Sequence, residues 1–248
     1  MSRLSSYATT PRIWAGALAS FVGLNFALAN EPSVESSRSV NVGRPTSVTL
    51  DLPLAAPEWT SLQFKKIKAN EVEFAEASLK VKVRSSASPL IHALPEPVRV
   101  QAVRVHGSWE DLKAPERQPK EFDEDSLLRV GLVVPGKLTL SGPKRWLAAD
   151  WVKRLFDLAP KGSGIDRIDF LMFASREAWI GRDRVHPSSE LIRERKMSLR
   201  PKPGAFETLW NLPEPLPVVA IWLSVDGDDG AASFDLQVTK LQLVIEQK

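Results

Sequence analysis

The sequence predicts an all-β protein: an antiparallel β-sandwich with jelly-roll-like connections and one principal helix near residues 144–158. Three observations predict it. From Thr46 onward apolar and polar residues alternate through most of the chain, the period of half-buried antiparallel strands. Nineteen prolines recur between these runs at loop spacing. Only one long segment changes to helical spacing. No repeat of solenoid or propeller length occurs, and no second composition sets in, so residues 46–248 read as one domain.

The elements follow in order. "SVTLDL" alternates Val48, Leu50 and Leu52, and "SLKVKVR" sets Leu79, Val81 and Val83 against Lys80, Lys82 and Arg84. "VRVQAVRVHGSW" carries Val98, Val100 and Ala102 on one phase and Val103 and Val105 on the other. "LLRVGLVV" and "VVAIWLSV" are nearly continuous and suit central strands buried on both faces. In "FDLQVTKLQLVIEQ" the apolar phase moves from Phe234, Leu236 and Val238 to Leu241, Leu243 and Ile245. A strand keeps such residues on one face only if the ladder takes an extra residue, which predicts a β-bulge near Thr239-Lys240. In "PKRWLAADWVKRLFDLAP", Leu147, Trp151, Leu155 and Leu158 form a helical stripe with Ala148, Val152 and Phe156 beside it. Pro143 suits its first turn and Pro160 ends it. Both of its tryptophans read as core anchors, and Asp150 and Arg154 stand four apart, placed to pair. "SSELIRERKMSL" fits a short helix or a strand.

The first residues read as an address. Arg3 and Arg12 supply positive charge, Ile13 to Ala29 is apolar apart from Ser20 and Asn25, and Ala27-Leu28-Ala29 has the small-x-small form of a cleavage site. Residues 1–29 are therefore expected to be a signal peptide, cleaved or kept as an anchor, and the polar stretch 30–45 a flexible leader. Removal takes two arginines and no acid, lowering the formal charge from +3 to near neutrality; nucleic acid is not an expected partner. No later stretch is apolar enough to span a bilayer. The absence of cysteine excludes disulfides, thiolate zinc sites and cysteine nucleophiles. These features fit a periplasmic or secreted bacterial protein with a core large enough to stand without cross-links.

Catalytic motifs fail on inspection. "GLVVPGK" opens like a phosphate-binding loop, but Leu138 stands where Ser or Thr must hold magnesium. "SGPK" fits Ser-x-x-Lys without its partner signatures. His92, His106 and His186 show no metal-ligand spacing. The acids of "EFDEDS", residues 121–126, would serve a glycosidase only with a partner across a cleft. Charge is uneven, acidic over 110–125 and basic over 182–202.

Tryptophan carries the functional hint. A sugar face needs flat rings against C–H surfaces, with acids and arginines for the hydroxyls. Trp109 with Glu110 and Asp111, and Trp179 near Arg176 and Arg182, have that chemistry; burial in the core is the competing role. "VDGDDG" brings Asp226, Asp228 and Asp229 together. Counted from Asp226 it lacks the Gly and Glu of an EF-hand at Ala231 and Gln237, so a solvated hairpin turn is expected, with weak calcium binding at these aspartates at most and no other cofactor.

The order of "LQFKKIKANEVEF", "VRSSASPL", "VQAVRVHGSW", "DEDSLLRVGLVV" and "AIWLSVDGDDGAASFDLQVTKLQL" resembles a family of exported bacterial proteins, the domain of unknown function numbered three-oh-four-seven. The resemblance covers residues 46–246. It departs at Val103-Arg104-Val105-His106, where the family's pattern has a tryptophan-rich strand. It implies a secreted β-sandwich similar to carbohydrate-binding modules and carries over no catalytic residue. The expectation is a noncatalytic exported module binding a glycan or another cell-envelope component. A carboxylate-dependent glycan hydrolase or lyase, and a structural partner of an envelope assembly, are the alternatives.

Overall fold

The tetrapeptide Leu-Pro-Glu-Pro occurs twice, at 94–97 and 212–215, and it shapes the sheet. The computed structural model describes residues 47–114, 126–187 and 189–247. The expected signal peptide, the leader and the acids at 121–125 lie outside the described residues. The strands are β1 (Ser47–Asp51), β2 (Thr60–Ser61), β3 (Glu71–Ala75), β4 (Ser78–Arg84), β5 (Ala87–Lys113), β6 (Ser126–Gly136), β7 (Gly164–Ala174), β8 (Asp183–His186), β9 (Ser189–Leu199), β10 (Gly204–Asp226) and β11 (Ser233–Glu246). The hydrogen-bonded order is β3-β4-β11-β5-β10-β6-β7-β9-β8, with β1 on β11 and β2 on β5. Every pairing is antiparallel except β7 with β9.

β5 and β10 run for 27 and 23 residues, far beyond an ordinary strand of five or six. Each serves both layers of the sandwich. Their ladder breaks twice. Residues 212–215 stand opposite Gln101 alone, and residues 94–97 opposite Val219 alone. These are the two Leu-Pro-Glu-Pro segments. Proline has no N–H for the ladder, so each pair of prolines ejects its segment and lets both strands turn together. The same extra Gln101 accounts for the phase change between Ala102 and Val103, since β11 also skips it, passing from Val244 opposite Ala102 to Ile245 opposite Val100.

The folded sheet encloses one core. Val81 and Val83 of β4, Val103 and Val105 of β5, and Leu236 and Val238 of β11 meet Leu128, Val130 and Leu132 of β6 and Ile221 and Leu223 of β10. On the second layer the opposite face is buried as well. There Ile91, Val133, Ile168, Phe170 and Trp222 pack with Leu155 of a helix. This double burial is why "LLRVGLVV" and "VVAIWLSV" are nearly continuous.

The helix expected over 144–158 forms in two pieces, α1 (Gly142–Leu147) and α2 (Asp150–Asp157). Ala148 and Ala149 between them are extended. Arg145 donates to Asp157 at 2.8 Å. Twelve residues of straight helix would hold these groups about 18 Å apart, so the pair requires the break. The break corrects the expected stripe. Leu155 is fully buried, but Leu147 is 77% exposed and Trp146, expected in the core, is 83% exposed. Asp150 pairs with Lys153 at 3.1 Å, and this pairing holds its carboxyl below the usual range. "SSELIRERKMSL" is strand β9.

The predicted bulge is present: Val238 faces Gly107 and Lys240 faces His106, with Thr239 extra. The predicted hairpin is not. β5 lies between β10 and β11, so residues 227–232 link strands that do not pair with each other. The segment packs on the turn between β4 and β5, with Gly227 N–H donating to Ser86 O at 3.2 Å and Ser85 N–H to Ala232 O at 2.9 Å. Local turn chemistry matched a hairpin; which strands pair is decided by β5 inserting between its ends. No described helix is long and apolar enough to cross a membrane.

Candidate functional site

Facing residues of paired strands project to one side of a sheet. On the outer face of the second layer this produces a row of Ile91, Trp222, Gly131, Phe170 and Glu194 across β5, β10, β6, β7 and β9. The next row holds Ser224, Arg129 and Met172. A cleft of about 490 Å³ opens on this face, within the range of small-molecule sites. Trp222, Phe170 and Ile168 form its apolar floor, Trp151 of α2 one wall, and Phe64 to Ile67 another. Trp151 meets Trp222 edge to face, with centroids 6.3 Å apart at 89°, an arrangement favoured by ring quadrupoles. Gly131 lies between Trp222 and Phe170 in the row, and a Cβ there would stand 2.7 Å from Phe170 Cε1. The glycine leaves the space that the Phe170 ring and the Ile168 side chain occupy.

Polar groups close the ends. Arg129, 9% exposed, lies beside Asp226, with Nη2 3.6 Å from Oδ2. Among the described residues Arg129 Nε has no hydrogen-bond partner. Ser224, Asp228 and Asp229 continue this end, while His186, Ser189 and Glu194 line the opposite side. Glu194 is 2% exposed and accepts from Arg184 Nε at 2.7 Å. Lys65 and Lys66 stand at the rim. With Glu194 offset by Arg184, the cleft carries both signs in near balance.

The residues singled out in the sequence fall in different places. Trp109 is a core residue, 6% exposed. Its indole donates to Lys202 O at 3.0 Å, its ring meets Phe234 edge-on, and the Arg200 guanidinium covers it at 4.3 Å. Glu110 and Asp111 are exposed on β5. Trp179 is half-buried in a 3-10 turn, Glu177–Trp179, under Arg176 at 5.1 Å, and Arg182 is exposed nearby. Trp109, Glu110, Asp111, Trp179, Arg176 and Arg182 do not line the cleft. Asp226, Asp228 and Asp229 do. Among the described residues no group of three or more His, Asp or Glu is arranged to hold a metal ion.

Arg129, Phe170, Trp151 and Trp222 are the residues that sequence reasoning passed over as functional. One signal was there: Arg129 is the single charge inside "LLRVGLVV". A charge in a run buried on both faces must find a partner or a polar cavity, and here it finds both.

No family model matches the chain, and no curated protein matches it. Several solved structures overlap it. A family 29 carbohydrate-binding module complexed with mannohexaose aligns at a TM-score of 0.35 and 7% identity, over 80% of this chain and 92% of that one. CBM86, a low-affinity xylan-binding module from Roseburia intestinalis, aligns at 0.33 and 11%, over 80% and 96%. The family 11 carbohydrate-binding module of Clostridium thermocellum, in complex with a β-1,3-1,4-mixed-linked tetrasaccharide, aligns at 0.36 and 7%, over 79% and 95%. What this cleft takes is set by its own side chains.

Proposed function

We propose that the chain is a noncatalytic module that binds an uncharged glycan segment in the cleft between α2 and the outer face of β10, β6, β7 and β9. One observation carries this. Aromatic rings and both kinds of hydrogen-bonding group converge in one open cleft whose charges nearly cancel. A sugar presents an apolar C–H surface to rings and hydroxyls to acids, arginines and serines, and a net-neutral lining suits a ligand without net charge. The two most buried acids, Asp226 and Glu194, are held beside Arg129 and Arg184. They are not presented as a free pair across the cleft, as glycoside hydrolysis would need. Export, placement in the family that the sequence resembles, and weak calcium binding at Asp226, Asp228 and Asp229 belong to the same proposal. They are supported by Ala27-Leu28-Ala29, by the motif order and by three aspartates within four residues of sequence.

A glycan array tests the reading. The wild-type protein should retain one class of neutral polysaccharide. Trp151→Ala should weaken that binding by about tenfold or more, the scale of losing one buried aromatic contact. Retention of nothing, or equal retention by the variant, would overturn it.

A further inference from the structure

The excursion between β6 and β7 exposes apolar side chains that no described element covers. Trp146 is 83% exposed, Leu147 77% and Leu138 51%. The Arg145–Asp157 pair at 2.8 Å ties α1 to α2, and the extended Ala148 and Ala149 break the helix between them, so Trp146 and Leu147 do not continue the buried stripe of α2. The same excursion, residues 137–161, contains six bases, Lys137, Lys144, Arg145, Lys153, Arg154 and Lys161, against Asp150 and Asp157. Both acids are used by Arg145 and Lys153. Lys137, Arg154 and Lys161 are exposed, and Arg154 acts on Asp150 more weakly than Lys153 does.

From these features we infer that the α1 excursion is a peripheral docking surface for an anionic lipid bilayer. An exposed tryptophan beside a leucine, in a segment with six bases against two acids, matches the interface of such a membrane. The indole is stable at headgroup level, where one edge is wet and the other apolar. The bases are attracted by anionic headgroups within a Debye length. Neither part suffices alone, and a surface needs both signals to attach. A partner protein lacking dense negative charge would leave the bases unanswered. The surface is separate from the glycan cleft, since Trp146 and Leu147 do not line it.

Vesicle co-sedimentation tests this. The unit Gly43–Lys248, which contains both described cores, is made without residues 1–42, so the apolar N-terminal run cannot supply the attachment. It should sediment with vesicles of phosphatidylcholine mixed with phosphatidylglycerol and not with phosphatidylcholine alone, and raised salt should release it. Trp146→Ala, at a side chain already in water, should keep the fold by circular dichroism and lower partitioning at least about tenfold. Equal binding to both vesicles, no binding to either, or unchanged binding by Trp146→Ala would overturn the inference. So would concentration-dependent self-association in ultracentrifugation that Trp146→Ala abolishes, which would assign the surface to a second copy of the chain.

Discussion

Gly131 shows how a single missing side chain makes the site. It faces Trp222 on one side and Phe170 on the other, and a Cβ would approach both Phe170 Cε1 and Ile168 Cγ2 to 2.7 Å. Real side chains do not come so close, and Phe170 and Ile168 are both buried. Gly131→Ala is therefore expected to lower stability by about 1–3 kcal/mol, as overpacking does, although alanine is the better strand residue. Urea unfolding checks this, and an unchanged midpoint would mean that Phe170 and Ile168 do not rest over the glycine. At this scale the sequence was partly legible. Arg129 advertised itself as a charge in an apolar run. Trp109 attracted attention through its neighbours Glu110 and Asp111, yet it shares the period-two phase of Val103 and Val105, which points it into the core. Phase along the strand outweighs polar neighbours, because adjacent residues in a strand face opposite ways.

The elements were legible wherever the signal was local. The bulge at Thr239 is the clearest example, because the change of apolar phase can be satisfied in only one way. Deleting Thr239 should move Leu241 and Leu243 off the inner face and abolish cooperative unfolding. Thr239→Ala, at an exposed position, should cost no more than about 0.5 kcal/mol. A deletion variant that unfolds cooperatively near the wild-type midpoint would show that the register is not fixed there. The helix is legible as periodicity but its division in two is not, since the Arg145–Asp157 pair across the break joins residues twelve apart. Trp151, Leu155 and Leu158 keep the stripe against the second core, and Leu147 alone leaves it. Leu155→Ala should cost about 2–5 kcal/mol in denaturant unfolding, and a smaller loss would mean that α2 is not seated on the sheet.

For the molecule as a whole, the layered β architecture followed from period two and proline spacing, while the site did not. The floor of the cleft exists because β10, β6, β7 and β9 align Trp222, Gly131, Phe170 and Glu194 in one row. Those alignments join residues far apart in sequence, and no local pattern states them. The same holds for "VDGDDG", whose flanking strands pair with β5 and not with each other. Its aspartates are divided between roles, Asp226 beside Arg129 and Asp229 exposed. Calcium should accordingly bind with a Kd of about 0.1–1 mM or weaker, the range of loose extracellular sites. Calorimetric titration giving micromolar affinity, lost in Asp228→Ala, would refute this.

The most direct test of the cleft is the set of tryptophan indole N–H signals in a ¹⁵N-resolved NMR spectrum, followed while the glycan retained on the array is added. Occupation of the cleft should shift the indole signals of Trp151 and Trp222, which line it. The signals of Trp109, bonded to Lys202 O, and of Trp179 should stay in place. Shifts confined to Trp109 or Trp179, with Trp151 and Trp222 unmoved, would contradict the assignment of the site.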